Sequence, residues 1–164
     1  MKEVKDFVEQ MRATSSSNEK VEILKQQSDF IKQVLEYTYN PYKQYHLTSK
    51  TLIKNKDIVE KTGYFDLFYL LDALRHRSIT GHEAIAYVNS FISSLDLRQK
   101  DLICKIIDKD LEIRAGAKLI NKAFPGLIPE FNVALAQEYK GKCDWTDGWY
   151  ASRKLDGVRC LAVV

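Results

Sequence analysis

Apolar residues recur every three or four positions through the first 124 residues, and this helical periodicity constrains the possible folds more than any other feature. The clearest stripes are Val4-Phe7-Val8-Met11, Phe30-Ile31-Val34-Leu35, Leu67-Leu70-Leu71-Leu74 and Leu102-Ile103-Ile106-Ile107. The 164 residues include only 7 Gly and 3 Pro, too few to suggest an all-β fold with many turns. The pattern predicts about seven amphipathic helices that share one core.

Capping signals mark the starts of three of these helices. Ser16 and Glu19 have the spacing of a capping box, and so do Thr80 and Glu83. Asp96 is a suitable N-cap for the next helix along the chain. Between the helices, residues 41–63 are polar and basic without a clear period, which predicts a loop that contains a short helix.

The character of the sequence changes after residue 124. Gly and Pro interrupt the helical pattern between residues 125 and 148, and residues 149–164 then show a strand–turn–strand pattern that ends in LAVV. An isolated hairpin is marginally stable in water, so this one reads as the start of a truncated second domain. We therefore predict a mainly α chain with a helical domain in residues 1–130, a linker in 131–148 and the opening of another domain in 149–164.

Composition and motifs exclude several classes of protein. Hydrophobic residues make up 45% of the chain and charged residues 29%, which is typical of a globular domain and not of a disordered chain. No apolar run approaches the roughly 20 residues of a membrane span, and the sequence begins MKEVKDFVEQ, which is unlike a signal peptide. The scattered Cys and His residues have no metal-ligand spacing. We expect a cytoplasmic protein without a metal site in this segment.

The net charge of +3 is distributed unevenly. Residues 43–122 carry 14 basic and 10 acidic side chains, whereas residues 1–42 carry 6 basic and 7 acidic ones. An excess of positive charge in the middle of the chain is expected where a protein binds a polyanion. Solvated helix faces that are rich in Lys explain the same charge equally well.

The predicted hairpin contains the residues best suited to chemistry. Lys154 ends a strand beside the Asp156-Gly157 turn, and a lysine amine that is desolvated or close to other cations loses its proton and becomes a nucleophile. Gly157 allows a phosphate or a base to approach the backbone. The guanidinium of Arg159 can bond a ribose hydroxyl or a phosphate oxygen. The alternative is an ordinary Asp-Gly turn with two exposed charges on its strands.

Two motifs carry a resemblance to a known family. The string KLDGVR resembles motif I, KxDGxR, of the covalent nucleotidyltransferases, which are DNA ligases, RNA ligases and mRNA capping enzymes. Residues 110–131, DLEIRAGAKLINKAFPGLIPEF, resemble the DLRxGxxxxxxNKxFPGLIP signature of the helical DNA-binding domain of ATP-dependent DNA ligases. The part from Asn121 to Pro129 matches at every fixed position, whereas Glu112 and Arg114 replace an Arg and a Gly. Capping enzymes lack this second signature, so the chain resembles them less. The spacing between the signature and motif I is most similar to that of the small bacteriophage type of ATP-dependent DNA ligase.

The resemblance implies an α/β, ATP-grasp-like nucleotidyltransferase domain that begins at the hairpin, and it gives roles to residues there. Lys154 corresponds to the lysine that ATP adenylates in the presence of Mg²⁺. Arg159 corresponds to the arginine that orients the ribose or the nick phosphate. Ser152 stands where many relatives have a Glu that contacts adenine, so the backbone of Ser152 and Arg153 is expected to read the base.

The upstream signature implies a DNA-binding site around Gly116 and Ala117, which are predicted to open a short helix. Backbone N–H groups at a helix start suit a phosphate. Arg114, Lys118 and Lys122 add positive charge, and the two lysines share one helix face. Such contacts bind DNA without sequence preference. A tight connection between helices, in which Gly and Ala allow close approach, is the alternative.

The resemblance as a whole implies the N-terminal part of a ligase that acts as a monomer on nicked duplex DNA in replication, repair and recombination. The complete enzyme would need ATP and Mg²⁺, and this segment alone would be inactive. Two alternatives remain: an RNA ligase or capping-type nucleotidyltransferase, and a non-enzymatic helical interaction module without DNA affinity.

Overall fold

The computed structural model describes residues 2–60 and 66–130, together with Thr146 and Gly148. The described residues form eight helices: α1 (Lys2–Ala13), α2 (Ser17–Lys25), α3 (Asp29–Tyr39), α4 (Ser49–Lys54), α5 (Leu67–Arg75), α6 (Gly81–Ser93), α7 (Leu97–Ile107) and α8 (Ala117–Ala123). They contain no β-strand, and none of these helices is long and apolar enough to cross a membrane. This part of the chain is therefore mainly α, as predicted. The predicted hairpin in residues 149–164 lies outside the described residues, as does nearly all of the predicted linker.

The predicted apolar stripes form the core. All eight helices belong to one compact unit, Met1–Phe131. α7 contacts α1, α3, α4 and α6, and α2 packs against α8. The largest fully buried side chains are Phe7, Met11, Leu24, Ile31, Leu35, Leu52, Leu70, Leu71, Leu74, Ile103, Ile106 and Leu111. Burying one such side chain contributes about 1.5–3 kcal/mol, so this packing, and not helix propensity, holds the short helices together.

Most of the predicted helix starts are confirmed. The hydroxyl of Ser16 accepts from the backbone N–H of Glu19, but the Glu19 carboxylate bonds the Thr14 hydroxyl instead of the Ser16 N–H, so the predicted capping box is only half formed. Asp96 forms a complete capping box with Gln99. α6 begins after Thr80 as predicted, but the Thr80 side chain makes no capping hydrogen bond. The first residue of α6, Gly81, has a φ of +56°. The chain therefore enters α6 from a left-handed conformation, which explains why the predicted capping box does not form.

Two polar side chains bond the carbonyls at the carboxyl end of α3: Tyr45, from the segment that follows α3, and Lys109, from the segment that follows α7. The Tyr45 hydroxyl donates to the Tyr37 carbonyl at 2.6 Å. The Lys109 ammonium donates to the same carbonyl at 2.9 Å and to the Asn40 carbonyl at 2.8 Å. Carbonyls at the end of a helix lack partners within the helix, so these contacts complete α3 and fix the place where the chain leaves α7.

Candidate nucleic-acid interface

Residues 108–116 join α7 to α8, and we call them the α7–α8 loop. The loop begins with a reversal of the chain: Lys109 has a φ of +67°, and the Asp110 N–H donates to the Lys105 carbonyl at 3.0 Å. Such a left-handed residue commonly follows the last turn of a helix, where glycine is preferred. Here the position is a lysine whose ammonium is held by the two carbonyls at the end of α3.

Side chains alternate between buried and exposed along the rest of the loop. Leu111, Ile113 and Ala115 are buried in the core, whereas Glu112 and Arg114 are exposed. Both exposed residues have left-handed backbones, with φ of +56° and +52°. A left-handed conformation costs about 1–2 kcal/mol for a residue with a Cβ, so contacts elsewhere must hold the loop in this shape.

Two cationic side chains from α1 and α2 hold the loop by its carbonyl groups. Arg12 donates to the carbonyls of Glu112 and Leu111 at 3.2 and 3.4 Å. Lys20 donates to the next two carbonyls along the chain at 2.9 and 3.0 Å. Four consecutive carbonyls, residues 111–114, are therefore bonded from one side. We call Arg12 and Lys20 the carbonyl clamp.

Lys20 is unusual because it is a buried lysine without a carboxylate partner among the described residues. Only 3% of its surface is exposed, and burial, together with the nearby Arg114 charge, lowers its pKa. The buried residues of α2 are Lys20 and Leu24, whereas the apolar Val21 is only partly buried. The signal that could have shown this is a lysine in phase with an apolar stripe, four residues before Leu24.

Glu112, which replaces the signature arginine, is part of a charged cluster. Its carboxylate lies 2.6 Å from the Arg12 guanidinium and 3.1 Å from the Lys105 ammonium. Lys105 also pairs with Asp101 at 2.7 Å. The Arg12–Glu112 pair is exposed, and exposed pairs typically contribute only about 0–1 kcal/mol to stability. These ion pairs hold the Arg12 guanidinium beside Glu112, the position at which the signature has an arginine.

The start of α8 agrees with the sequence analysis. Gly116 is the N-cap in an extended conformation, and the helix begins at Ala117. Lys118 and Lys122 are exposed on one face, while Ile120 on the opposite face is fully buried. α8 is thus a short helix that is anchored by its apolar side and presents two lysines.

The cations of this region lack carboxylate partners, a property that they share with Lys50, Lys54 and Lys100 elsewhere in the described residues. Within residues 2–60 and 66–130, neither Arg114, Lys118 nor Lys122 forms an ion pair. Lys122 lines a groove that also contains Glu19 and Glu22 of α2. A cation without a carboxylate partner keeps its charge available for an external anion.

The second half of the signature has a structural role. The Asn121 side chain donates to the Ile128 carbonyl at 2.7 Å and accepts from the Ile128 N–H at 2.9 Å. Gly126, within this turn, has a φ of +77°, and Ile128 is buried in the core. Phe124, another signature residue, makes a cation–π contact with α3, since the Lys32 ammonium lies 5.2 Å from the centre of its ring. Asn121 therefore closes the turn after α8 and fixes that helix from its carboxyl end.

The structure brings together one of the two predicted groups of site residues. Arg114, Gly116, Ala117, Lys118 and Lys122 lie in the α7–α8 loop and α8, while Ser152, Arg153, Lys154 and Arg159 lie outside the described residues. The described part of the chain has no group of three or more His, Cys, Asp or Glu side chains that could hold a metal ion. Arg12 and Lys20 escaped the sequence analysis because their carbonyl partners are more than 90 residues away.

No protein-family model matches the sequence. The chain is similar to the DNA ligase of Enterobacteria phage T4. The two are 29% identical over 167 aligned residues, which cover 96% of this chain and 34% of the phage protein. The DNA ligase of Enterobacteria phage T6 has the same identity and coverage. The chain spans about a third of the length of these curated relatives. The similarity extends into residues 1–60, which contain neither of the two sequence motifs.

Proposed function

We propose that this chain is the N-terminal part of an ATP-dependent DNA ligase that seals nicks in duplex DNA through a lysine–AMP intermediate. The similarity to two phage DNA ligases over 96% of the chain carries this proposal. In it, residues 1–130 are the helical DNA-binding domain, 131–148 the linker and 149–164 the start of the nucleotidyltransferase domain. The proposed enzyme acts as a monomer in replication, repair and recombination.

The α7–α8 loop and α8 are the proposed DNA-binding surface. Arg114, Lys118 and Lys122 would pair with backbone phosphates, since all three are exposed and without carboxylate partners in the described residues. The backbone N–H groups at Gly116 and Ala117 would add neutral donors at the same place. Phosphate contacts position a protein on the duplex without reading sequence, and nick sealing requires that tolerance.

Lys154 is the proposed nucleophile. Its neutral amine attacks the α-phosphate of ATP, which forms a phosphoramidate bond to AMP and releases pyrophosphate, and the amine loses its proton. The AMP then passes to the 5′-phosphate at the nick, which frees the lysine. The 3′-hydroxyl attacks that activated phosphate, closes the DNA backbone and releases AMP.

The residues around the nucleophile would position the nucleotide. Arg159 orients the ribose or the nick phosphate, and the backbone at Ser152 and Arg153 contacts adenine. ATP and Mg²⁺ are proposed for the complete enzyme. The described residues lack a cluster of metal-binding side chains, so the proposal assigns the ion to residues outside this helical part.

The test of the DNA-binding role uses the 164-residue chain and a fluorescent nicked duplex. We expect weak binding that falls steeply as salt rises from about 50 to 200 mM, because counterion release drives it. Lys118→Glu combined with Lys122→Glu should abolish most of this binding and change the free energy of unfolding by less than about 0.5 kcal/mol. Fluorescence anisotropy measures the affinity, and circular dichroism measures the stability.

A matched control is available on α4. Lys50 and Lys54 are also exposed and four residues apart, so changing both to Glu alters the net charge of the chain equally. We expect the control to retain most of the DNA affinity. Binding that is absent at low salt, or equally weakened by both double variants, would contradict the assignment of the surface to α8.

A further inference from the structure

We propose that Arg12 and Lys20, the carbonyl clamp, are positioning residues for DNA binding: they hold residues 111–114 so that Arg114 is presented to a phosphate. This inference rests on the proposed function and deepens it. It also gives α1 and α2 a role in a surface that the sequence motifs place entirely in residues 110–129.

The first support is the energetic cost of Lys20 in its place. A buried ammonium loses its hydration, and without a paired carboxylate it is expensive unless it is well hydrogen-bonded. Lys20 has two carbonyl acceptors, those of Ile113 and Arg114, at 2.9 and 3.0 Å. An apolar side chain would cover the core below the loop at lower cost but could not orient those two carbonyls.

The second support is the conformation that these bonds maintain. Arg114 has a left-handed backbone with a φ of +52°, and its own carbonyl is one of the two that Lys20 holds. Fixing that carbonyl limits rotation of the peptide after Arg114, and this limits the direction in which its Cα–Cβ bond leaves the loop. The clamp therefore acts on the exposed guanidinium through the backbone, without touching the proposed ligand.

The third support is that the two clamp residues bond different carbonyls of the segment. Arg12 is balanced by the Glu112 carboxylate at 2.6 Å, and it bonds the first two carbonyls of the segment. Lys20 bonds the last two and has no carboxylate partner in the described residues. The two cations come from different helices, so the segment keeps its shape only when α1 and α2 are both docked.

The test is a double-mutant cycle between Lys20→Met and Arg114→Ala in the 164-residue chain. Methionine keeps an unbranched chain of similar length but cannot donate to the carbonyls. We expect Lys20→Met to weaken binding to the nicked duplex about tenfold at low salt, and by less than about twofold when Arg114 is already Ala. The slope of log affinity against log salt should fall by about 0.9, the value for one lost phosphate contact.

Lys25→Met is the matched control, because Lys25 is an exposed lysine on the same helix. If Lys20→Met fails to fold, Arg12→Met provides the second cycle, since Arg12 is at the surface and bonds the other half of the segment. DNA affinity equal to that of Lys25→Met, or an equal loss in both Arg114 backgrounds, would overturn the positioning role while leaving the proposed function intact. If the unsubstituted chain does not bind DNA, the DNA-binding proposal fails, and this inference fails with it.

Discussion

Arg114 occupies a left-handed backbone conformation that glycine would adopt more easily, and the ligase signature has a glycine at this position. Among substitutions that remove the charge, Arg114→Gly also removes the Cβ, while Arg114→Ala retains it. Relief of strain favours the glycine variant, and the greater freedom of glycine in the unfolded chain offsets part of that gain. We expect Arg114→Gly to be more stable than Arg114→Ala by about 0.5–1 kcal/mol.

Chemical denaturation followed by circular dichroism measures this difference. Both variants should bind DNA more weakly than the unsubstituted chain, because both lose the guanidinium. An alanine variant that is as stable as the glycine variant would show that the loop relaxes away from the left-handed conformation once the side chain is shortened.

Asn121 stabilises α8 through two hydrogen bonds to a buried residue. Asn121→Ala leaves the N–H and the carbonyl of Ile128 without these partners, and it should lower the free energy of unfolding by about 1–3 kcal/mol. Asn18→Ala is the control, since Asn18 is exposed on α2, and it should change stability by less than about 0.5 kcal/mol. Equal stabilities of the two variants, measured by thermal denaturation, would contradict the closing role of Asn121.

At the scale of elements, the contact between the end of α3 and the end of α7 should make stability depend on pH. Burial lowers the pKa of Lys109 from 10.5 to about 8, and the neighbouring Lys43 ammonium contributes in the same direction. Between these values the unfolded chain binds more protons than the folded one. The free energy of unfolding therefore rises with pH in this window, by about 1 kcal/mol after allowance for the partly exposed side chain.

Three tyrosines set the upper limit of this window. Burial raises the pKa of Tyr39 and Tyr45, and burial and the hydrogen bond to Asp72 raise the pKa of Tyr37 from 10.0 to about 12, so the unfolded chain loses these phenol protons first. Stability should thus fall as the pH rises above about 10. Urea denaturation at a series of pH values should show a maximum in the free energy of unfolding at about pH 9–10. Lys109→Gln should flatten the rising part of this profile, whereas the control Lys50→Gln should leave it unchanged. A flat profile from pH 7.5 to 9.5 or so in the unsubstituted chain would refute the explanation.

Helix caps show which features of these elements can be predicted from local sequence. The caps at Ser16 and Asp96 were predictable because each depends on residues within one turn. Thr80 has the same local spacing, yet the left-handed Gly81 prevents its side chain from capping α6. The burial of Lys20 was not predictable from α2 alone, because the groups that compensate for it are carbonyls in a loop that follows α7.

For the whole molecule, the proposal predicts covalent labelling at Lys154. In the full-length protein, Lys154→Ala should abolish transfer of AMP from α-labelled ATP in the presence of Mg²⁺, because the neighbouring Arg153 stays protonated and cannot attack a phosphate. Lys142→Ala is the control and should label normally. Labelled protein is detected after denaturing electrophoresis.

The 164-residue chain should label poorly even with Lys154 present. The chain covers about a third of the length of the phage ligases, and the proposal assigns the adenine pocket and the cations that activate the lysine to the remainder of the enzyme. Strong labelling of this chain alone would show that the nucleotide site needs no further residues. Labelling by GTP in place of ATP would favour the capping-type alternative.

The mainly α fold and the lysines of α8 follow from patterns that span single helices, and this explains why the sequence predicted them. The interface as a whole depends on residues far apart in the chain. Arg12 is held against Glu112, 100 positions away, and no periodicity or motif links two such residues. Sequence patterns thus predicted the residues of the proposed surface but not the side chains that support them.

The carbonyl clamp has a consequence for the order in which a growing chain acquires its shape on the ribosome. α1 and α2 leave the ribosome first, whereas the carbonyls that they hold are 93 to 100 residues behind them. Closing so long a loop costs entropy that only the assembled core can offset. In a nascent protein the surface proposed to bind DNA is therefore incomplete until residue 114 has emerged, and a protease that removed α1 would release two of the four held carbonyls again.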